Sequence, residues 1–267
     1  MAGKATFDVT FWGVRGRIPC PGPKTARYGG NTRCLEMRLD DRRLIFDAGT
    51  GIRPLGDALA GAAPVSAQIL LSYTGPECIS GIPFFIPAYD AGNAFRLWAG
   101  RGTGGRALRE VLAALMNDPM FPVPVDIFDA CFAYEDFDPG ETIAPARDLL
   151  IRTARVHDTA AITGFRVEAA GKSVCYLPDL APPGSAPAAR ALVAGADIAI
   201  LGAGEGTDGT ADWRAALRFA ADAGARVCVL ARHEPDWDDD ALDRIAAEAA
   251  TLAPGAIVAR EGLTLSA

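Results

Sequence analysis

Hydrophobic and polar positions alternate along several short stretches of the chain, and each such stretch predicts a β-strand. Asp40 and Asp41 separate two of these stretches and predict the turn of a hairpin. An apolar run that begins at Ile69 and ends at Tyr73 predicts a buried strand. The remaining predicted strands cover residues 6–12, 34–39, 44–47, 95–99, 149–156, 162–169, 173–177, 198–201 and 227–231.

Stretches with helical character lie between these strands. Hairpins mixed with strand–helix units in two similar halves predict two sheets packed face to face, with helices on the outside. The expected fold class is therefore α/β (α+β), a four-layer αββα sandwich in which residues 1–267 form one domain. The predicted helices cover residues 52–60, 107–116, 186–194, 213–223 and 239–252.

Candidate chemistry lies where the apolar run from Ile69 ends. The run breaks at Gly75 and Pro76, and apolar residues then resume in a way that predicts a helix start. A strand end that opens into a helix is where many folds place reactive or ligand-binding side chains. Tyr73, Glu77 and Cys78 are the candidate site residues of this stretch.

This stretch resembles the metal-binding loop of the metallo-β-lactamase superfamily, in which a strand ends in Ser/Thr-His-x-His-x-Asp-His. Residue on residue, the first His of that motif falls on Tyr73 and the second on Gly75, while the Asp falls on Glu77 and the last His on Cys78. The frame of the motif is present, and its metal ligands are replaced.

Three other segments resemble a phosphodiesterase-like and ribonuclease-Z-like branch of the same superfamily. They read Phe-Trp-Gly-Val-Arg-Gly, Arg-Tyr-Gly-Gly-Asn-Thr and Phe-Asp-Ala-Gly-Thr-Gly-Ile. The resemblance extends over residues 11–262 and implies the αββα metallo-β-lactamase sandwich. It also implies a hydrolase whose two metal ions are held by several histidines and carboxylates.

The later metal-binding motifs of the superfamily are altered in the same way. One ligand histidine falls on Asp158, with His157 one residue early, and another falls on Arg232, with His233 beside it. The bridging aspartate is kept as Asp179. The chain contains 2 histidines in all, so imidazoles are missing from the expected ligand positions.

These replacements predict a protein without a di-metal site and without a metal cofactor. Glu77, Asp158 and Asp179 would repel one another in a cleft that lacked a cation. Arg232 is a permanent cation with a planar fork suited to carboxylates, and the hypothesis is that its guanidinium takes the place of the second metal. The expected function is a pseudoenzyme with a small-ligand-binding or regulatory role.

An active hydrolase of phosphodiesters or other esters is the alternative. Glu77, Cys78, Asp158, Asp179 and a shifted His233 contain enough donor atoms for one zinc or manganese ion. Cys78, at a strand end and a helix start, is also a candidate nucleophile if its thiol is activated.

Composition and charge narrow the expected partners. A formal charge of -7 and a pI of about 4.9 argue against nucleic acid, because no broad basic face is available for phosphate contacts. The chain has no apolar run of the ~18 residues that a membrane span needs, and no signal peptide is evident at its start, so a cytoplasmic protein is expected. The expected partners are a small-molecule ligand or a regulatory protein, with a homodimer possible through the proline-rich residues 119–125.

Two glycine-rich segments leave further alternatives open. Gly204, Gly206 and Gly209 match a dinucleotide fingerprint after a predicted strand, although an active-site rim loop is the favoured interpretation. Residues 100–106 form a glycine-rich turn with two arginines that is either an anion site or an ordinary loop.

Overall fold

Two packed β-sheets form the centre of the molecule. In this computed structural model, residues 6–61, 64–101, 105–119, 121–157, 161–182, 187–202, 204–206 and 210–267 are described. Within that part of the chain each sheet has seven strands. In spatial order the first sheet contains β14 (Thr264–Ser266), β1 (Phe7–Gly13), β2 (Cys34–Leu39), β3 (Arg42–Phe46), β4 (Ser66–Leu71), β5 (Ala94–Gly100) and β6 (Cys131–Phe137).

The second sheet repeats the mixed topology of the first. Strands from β14 to β3 pair antiparallel and those from β3 to β6 pair parallel. In the second sheet the antiparallel hairpins come first along the chain and the parallel strands follow. Its spatial order is β13 (Ile257–Val258), β12 (Val227–Ala231), β11 (Ile198–Gly202), β10 (Lys172–Leu177), β9 (Ile162–Ala169), β8 (Leu149–His157) and β7 (Thr142–Ala146).

Helices cover the outer face of each sheet, which gives the four layers that the sequence predicts. None of the helices in the described ranges combines the length and apolar character needed to cross a membrane. Short 3-10 turns lie at Pro23–Thr25, Ile82–Phe84, Ile86–Tyr89 and Val125–Ile127. The α-helices are α1 (Ile52–Leu59), α2 (Pro76–Ile79), α3 (Leu108–Leu115), α4 (Pro187–Val193), α5 (Trp213–Asp222) and α6 (Asp239–Leu252).

Three layers of apolar side chains hold the sandwich together. The middle layer lies between the sheets and includes Phe46 and Phe165, whose ring centroids are 5.2 Å apart. One outer layer packs α1 and α3 on the first sheet, and the other packs α4, α5 and α6 on the second. Strand β11 is buried along its whole length because it has apolar layers on both faces, which is why its sequence is continuously apolar.

The candidate site lies where strands of both sheets end. Asp47 follows β3, Ser72 follows β4, Asp179 lies two residues after β10, and Arg232 follows β12. The carboxyl ends of parallel strands meet at one edge of a sheet, and packing the two sheets face to face brings these two edges together. The residues of the site are therefore far apart in sequence and close in space.

Candidate functional site

A buried carboxylate held between two arginines forms the centre of the site. Asp179 accepts from Arg33 Nη1 through Oδ2 at 2.5 Å and from Arg232 Nε through Oδ1. The three side chains are 5–7% exposed. Burial alone would raise the pKa of Asp179, but the two guanidiniums outweigh it and hold that pKa below its ordinary value. Asp179 is therefore a carboxylate at neutral pH.

Arg33 connects this carboxylate to the first sheet. Its Nη2 atom donates to the carbonyl oxygen of Gly16 at 3.2 Å and lies 3.6 Å from Oε1 of Glu77. Burial would lower the pKa of Arg33, but the neighbouring charge of Asp179 raises it well above its ordinary value, so the side chain stays a cation. The sequence did not single out Arg33, although it directly precedes the predicted strand at residue 34.

Arg232 is engaged in the same way on the second sheet. Its Nη1 atom donates to Oε1 of Glu234 at 2.6 Å, and Arg17 approaches the other oxygen of Glu234 to 3.8 Å. Arg232 has a φ of 64° and Asp179 a φ of 46°, a left-handed backbone that non-glycine residues rarely adopt. Such conformations cost about 1–3 kcal/mol each and persist only where the surrounding contacts fix them. Here the buried ion pairs supply those contacts.

Asp47 is a second buried carboxylate, and its charge interacts with Arg33 of the cluster. Asp47 accepts from the backbone N–H and the hydroxyl of Ser72, both at 2.8 Å, and from the Tyr176 hydroxyl at 2.7 Å. Burial raises the pKa of Asp47, and the opposing influence of Arg33, Ser72 and Tyr176 does not cancel it. Neither Asp47 nor Tyr176 was a predicted site residue, although Asp47 stands in the Asp-Ala-Gly-Thr-Gly segment that the sequence singles out.

The structure corrects the proposed reactivity of Cys78. Its side chain is fully buried beside the Ser72 hydroxyl, with a distance of 3.8 Å between Sγ and Oγ. Burial raises the pKa of the thiol well above its ordinary value, and the nearby Asp47 carboxyl adds to this effect. Cys78 is therefore a neutral thiol that packs in the core, which is the opposite of an activated nucleophile.

A thiol reagent tests this correction. With 5,5′-dithiobis(2-nitrobenzoate) in excess over the native protein, we expect the exposed Cys131 to react first and Cys78 to react only on unfolding. The fast phase should disappear in Cys131→Ser and stay unchanged in Cys78→Ala. Loss of the fast phase in Cys78→Ala would restore the reactive-cysteine interpretation.

The structure places the His233 ring apart from the carboxylate cluster. The ring is buried, its Nε2 atom lies 2.7 Å from the carbonyl oxygen of Ala259, and it packs edge-on to Tyr28 at 6.0 Å between ring centroids. Burial lowers its pKa to about 4, so the ring is neutral at pH 7 and donates to Ala259. His233 points into the core and ties β12 to the segment after β13, away from Asp179.

The other predicted site residues divide into three cases. Glu77 joins the cluster through Arg33, as described above. Tyr73 is 39% exposed, and its ring lies against Gly75, where an added Cβ would meet the ring at 2.4 Å. Asp158 lies outside the described residues, as does Gly209 of the dinucleotide-like fingerprint.

An open cavity of about 540 Å³ lies next to the cluster and shares Glu77 with it. Its walls come from the loop after β1, the start of α1, and the segment from α2 to the following 3-10 turn. They are largely apolar, with two arginines at the edge. The lining residues are Arg17, Ile18, Pro19, Asn31, Thr32, Thr50, Arg53, Pro54, Pro76, Glu77, Ser80, Gly81 and Phe84.

The residues of the cluster do not fit the two metal ions that the resemblance implies. Both oxygens of Asp179 accept from guanidiniums, Glu77 faces Arg33, and Gly75 has no side-chain donor. Two permanent cations next to the one bridging carboxylate also repel a divalent cation. Nowhere in the described ranges do three or more His, Cys, Asp or Glu side chains form a group that could hold a metal ion.

The fold and the position of this site at the ends of facing sheets define a metallo-β-lactamase-like protein. A family model for the β-lactamase superfamily domain matches residues 42–231, and the chain belongs to that family. No curated protein sequence matches the chain.

Solved structures with the same fold cover nearly the whole chain. The metallo-β-lactamase fold protein YhfI from Bacillus subtilis has a TM-score of 0.71 and 17% identity, over 97% of this chain and 99% of that one. Zn²⁺-bound PqqB from Methylobacterium extorquens has a TM-score of 0.68 and 19% identity, over 97% and 99%. Human tRNase Z, short form, has a TM-score of 0.70 and 16% identity, over 97% and 98%. At these identities the likeness establishes the fold alone.

Proposed function

We propose that this chain is a non-catalytic member of its family that uses the cleft at the sheet ends to bind a small ligand. The observation that carries the proposal is the Arg33–Asp179–Arg232 cluster, in which guanidiniums neutralise the acid that bridges two metals in the family motif. A guanidinium places a permanent positive charge beside the carboxylate, as a metal ion does. It offers no open coordination position and cannot lower the pKa of a bound water as a metal ion does.

Of the candidate side chains that the structure describes, Asp179, Cys78 and His233 do not supply a substitute for that chemistry. Asp179 has a lowered pKa and both of its oxygens are engaged, so it is a poor general base. Cys78 is a buried neutral thiol, and His233 points away from the cleft. The cavity of about 540 Å³ falls within the range of small-molecule sites, and this supports a binding role.

Metal analysis and a generic assay test the proposal together. We expect protein purified from medium with added zinc and manganese to hold far less than one metal ion per chain, measured by inductively coupled plasma mass spectrometry. We also expect no hydrolysis of bis(4-nitrophenyl) phosphate above the buffer rate, with or without Zn²⁺ or Mn²⁺. A stoichiometric metal, or metal-stimulated turnover that is lost in an Asp179→Ala variant shown by circular dichroism to be folded, would instead establish the hydrolase alternative.

A further inference from the structure

We infer that the cavity beside the cluster binds an amphipathic monocarboxylate, a small molecule with one carboxylate head and an apolar body. This inference rests on the proposed binding role and adds the chemical class of the ligand. It follows from three properties of the cavity: its apolar walls, the pairing of its other charged residues, and an arginine that faces no carboxylate among the described residues.

The walls provide apolar surface that is not covered by the protein itself. Ile18 and Phe84 both line the cavity and are 56% and 54% exposed, so each leaves apolar surface in contact with water. Pro54 and Pro76 also line it, and neither has a backbone N–H to offer a polar ligand. An apolar ligand body would remove this surface from water, which favours binding.

The charged residues of the cavity are mostly paired. Glu77 faces the Arg33 guanidinium at 3.6 Å, and Arg17 approaches Glu234 to 3.8 Å. Arg53 is different, because no carboxylate of the described ranges lies within 4.0 Å of its guanidinium. A guanidinium presents a planar fork of donors that matches a carboxylate in two parallel hydrogen bonds. Among the described residues that line the cavity, Arg53 is therefore the cation that faces no carboxylate.

The charge balance favours a single negative charge on the ligand. In the described part of the chain Arg53 is the guanidinium of the cavity that faces no carboxylate, Glu77 forms part of the wall, and the chain carries a net charge of -7. A dianionic phosphate or a diphosphate would place additional negative charge beside Glu77, and the other guanidinium of the cavity, that of Arg17, already lies opposite Glu234. The carboxylate of such a ligand can accept two hydrogen bonds from the Arg53 guanidinium, and its apolar body can then contact the walls of the cavity.

A set of eight-carbon compounds that differ in the head group, with acetate as a carboxylate that lacks the tail, tests this. Isothermal titration calorimetry would measure octanoate, octanamide, octylammonium, octyl phosphate and acetate against the purified full chain. We expect octanoate to bind about tenfold more tightly than octanamide, since the amide has one acceptor oxygen and no charge and therefore loses one of the two parallel hydrogen bonds from the Arg53 guanidinium. Acetate should bind far more weakly than octanoate, because it lacks the apolar body.

Two variants locate the site. Arg53→Gln should remove the preference for octanoate over octanamide, and Phe84→Ala should weaken both severalfold. Arg38→Gln is the matched control, since Arg38 is an exposed arginine on β2 that does not line the cavity, and it should keep the wild-type preference. Circular dichroism would show that each variant is folded.

Several results would overturn the inference. They are octanamide or octylammonium binding as tightly as octanoate, octyl phosphate binding more tightly, no binding of the series at millimolar concentration, and an octanoate preference that survives in Arg53→Gln. The absence of binding in a metal-free, inactive protein would reject this ligand class and leave the lack of catalysis standing. A stoichiometric metal would instead reject the proposed function itself.

Discussion

Asp179→Ala is expected to lower the free energy of unfolding by about 3–5 kcal/mol, the cost typical of breaking a buried ion pair from one side. The substitution leaves two guanidiniums, each about 5% exposed, without the carboxylate that lies between them. Arg33 then retains Glu77 at 3.6 Å and a carbonyl of Gly16. These contacts compensate only part of the loss, so a large share of a typical domain's stability should disappear.

Urea denaturation followed by circular dichroism measures this effect as a lower midpoint at an unchanged slope. The matched control is Asp148→Ala, which removes an acid whose 2.6 Å pair with Arg42 lies on the surface. Exposed pairs contribute little, and the control should therefore leave the midpoint near that of the wild type. If the two variants have the same midpoint, Asp179 does not hold the two sheets together through the guanidiniums of Arg33 and Arg232.

Replacing Arg232 should lower the free energy of unfolding less than replacing Asp179 does. Arg232→Ala leaves Asp179 paired with Arg33, so its cost should be smaller than that of Asp179→Ala, yet still measurable because a buried pair is lost. A fold as stable as the wild type after Arg232→Ala would reject the hypothesis that this guanidinium takes the place of a metal.

Sequence periodicity predicted most of the strands because their alternation is strong. The helix predicted at residues 239–252 coincides with α6, and the strand predicted at residues 34–39 coincides with β2. Strand β6 was missed. Its first six residues are exposed or half-buried and two acids follow one another in it, so the sequence shows no clean alternation. Strands of two or three residues such as β13 and β14 depend on their neighbours for their conformation and carry too little signal.

The site could be predicted only in part, because motif alignment gives backbone positions and not side-chain partners. Asp179 and Arg232 were found through the motif, and they are in contact. Arg33 is 146 residues from Asp179 in sequence, and its burial depends on how the second sheet packs on the first. Adjacent residues also face different surroundings, since Arg232 reaches Asp179 while His233 reaches Ala259. A one-residue shift in a motif therefore moves a side chain from the cleft into the core.

Because the His233 ring is buried, we expect the protein to lose stability in mild acid. Its pKa in the folded protein is lowered to about 4, from an ordinary 6.5, mainly by burial and with a smaller contribution from the nearby Arg15. Well above pH 6.5 the ring is neutral in both states and adds no pH dependence. Between pH 6.5 and 4 the unfolded chain binds a proton that the folded chain does not, so stability falls as the pH falls.

We expect this one group to remove about 3 kcal/mol of stability over that interval, since each pKa unit corresponds to about 1.4 kcal/mol. His233→Gln should abolish that part of the loss, because an amide can donate to Ala259 without taking up a proton. Urea titrations at pH 7, 5.5 and 4 would compare wild type, His233→Gln and the matched control His157→Gln, which removes the other histidine of the chain. The same acid sensitivity in wild type and His233→Gln would mean that the ring becomes protonated within the folded protein. That result would require a more polar or more accessible environment than the core position between Tyr28 and Ala259.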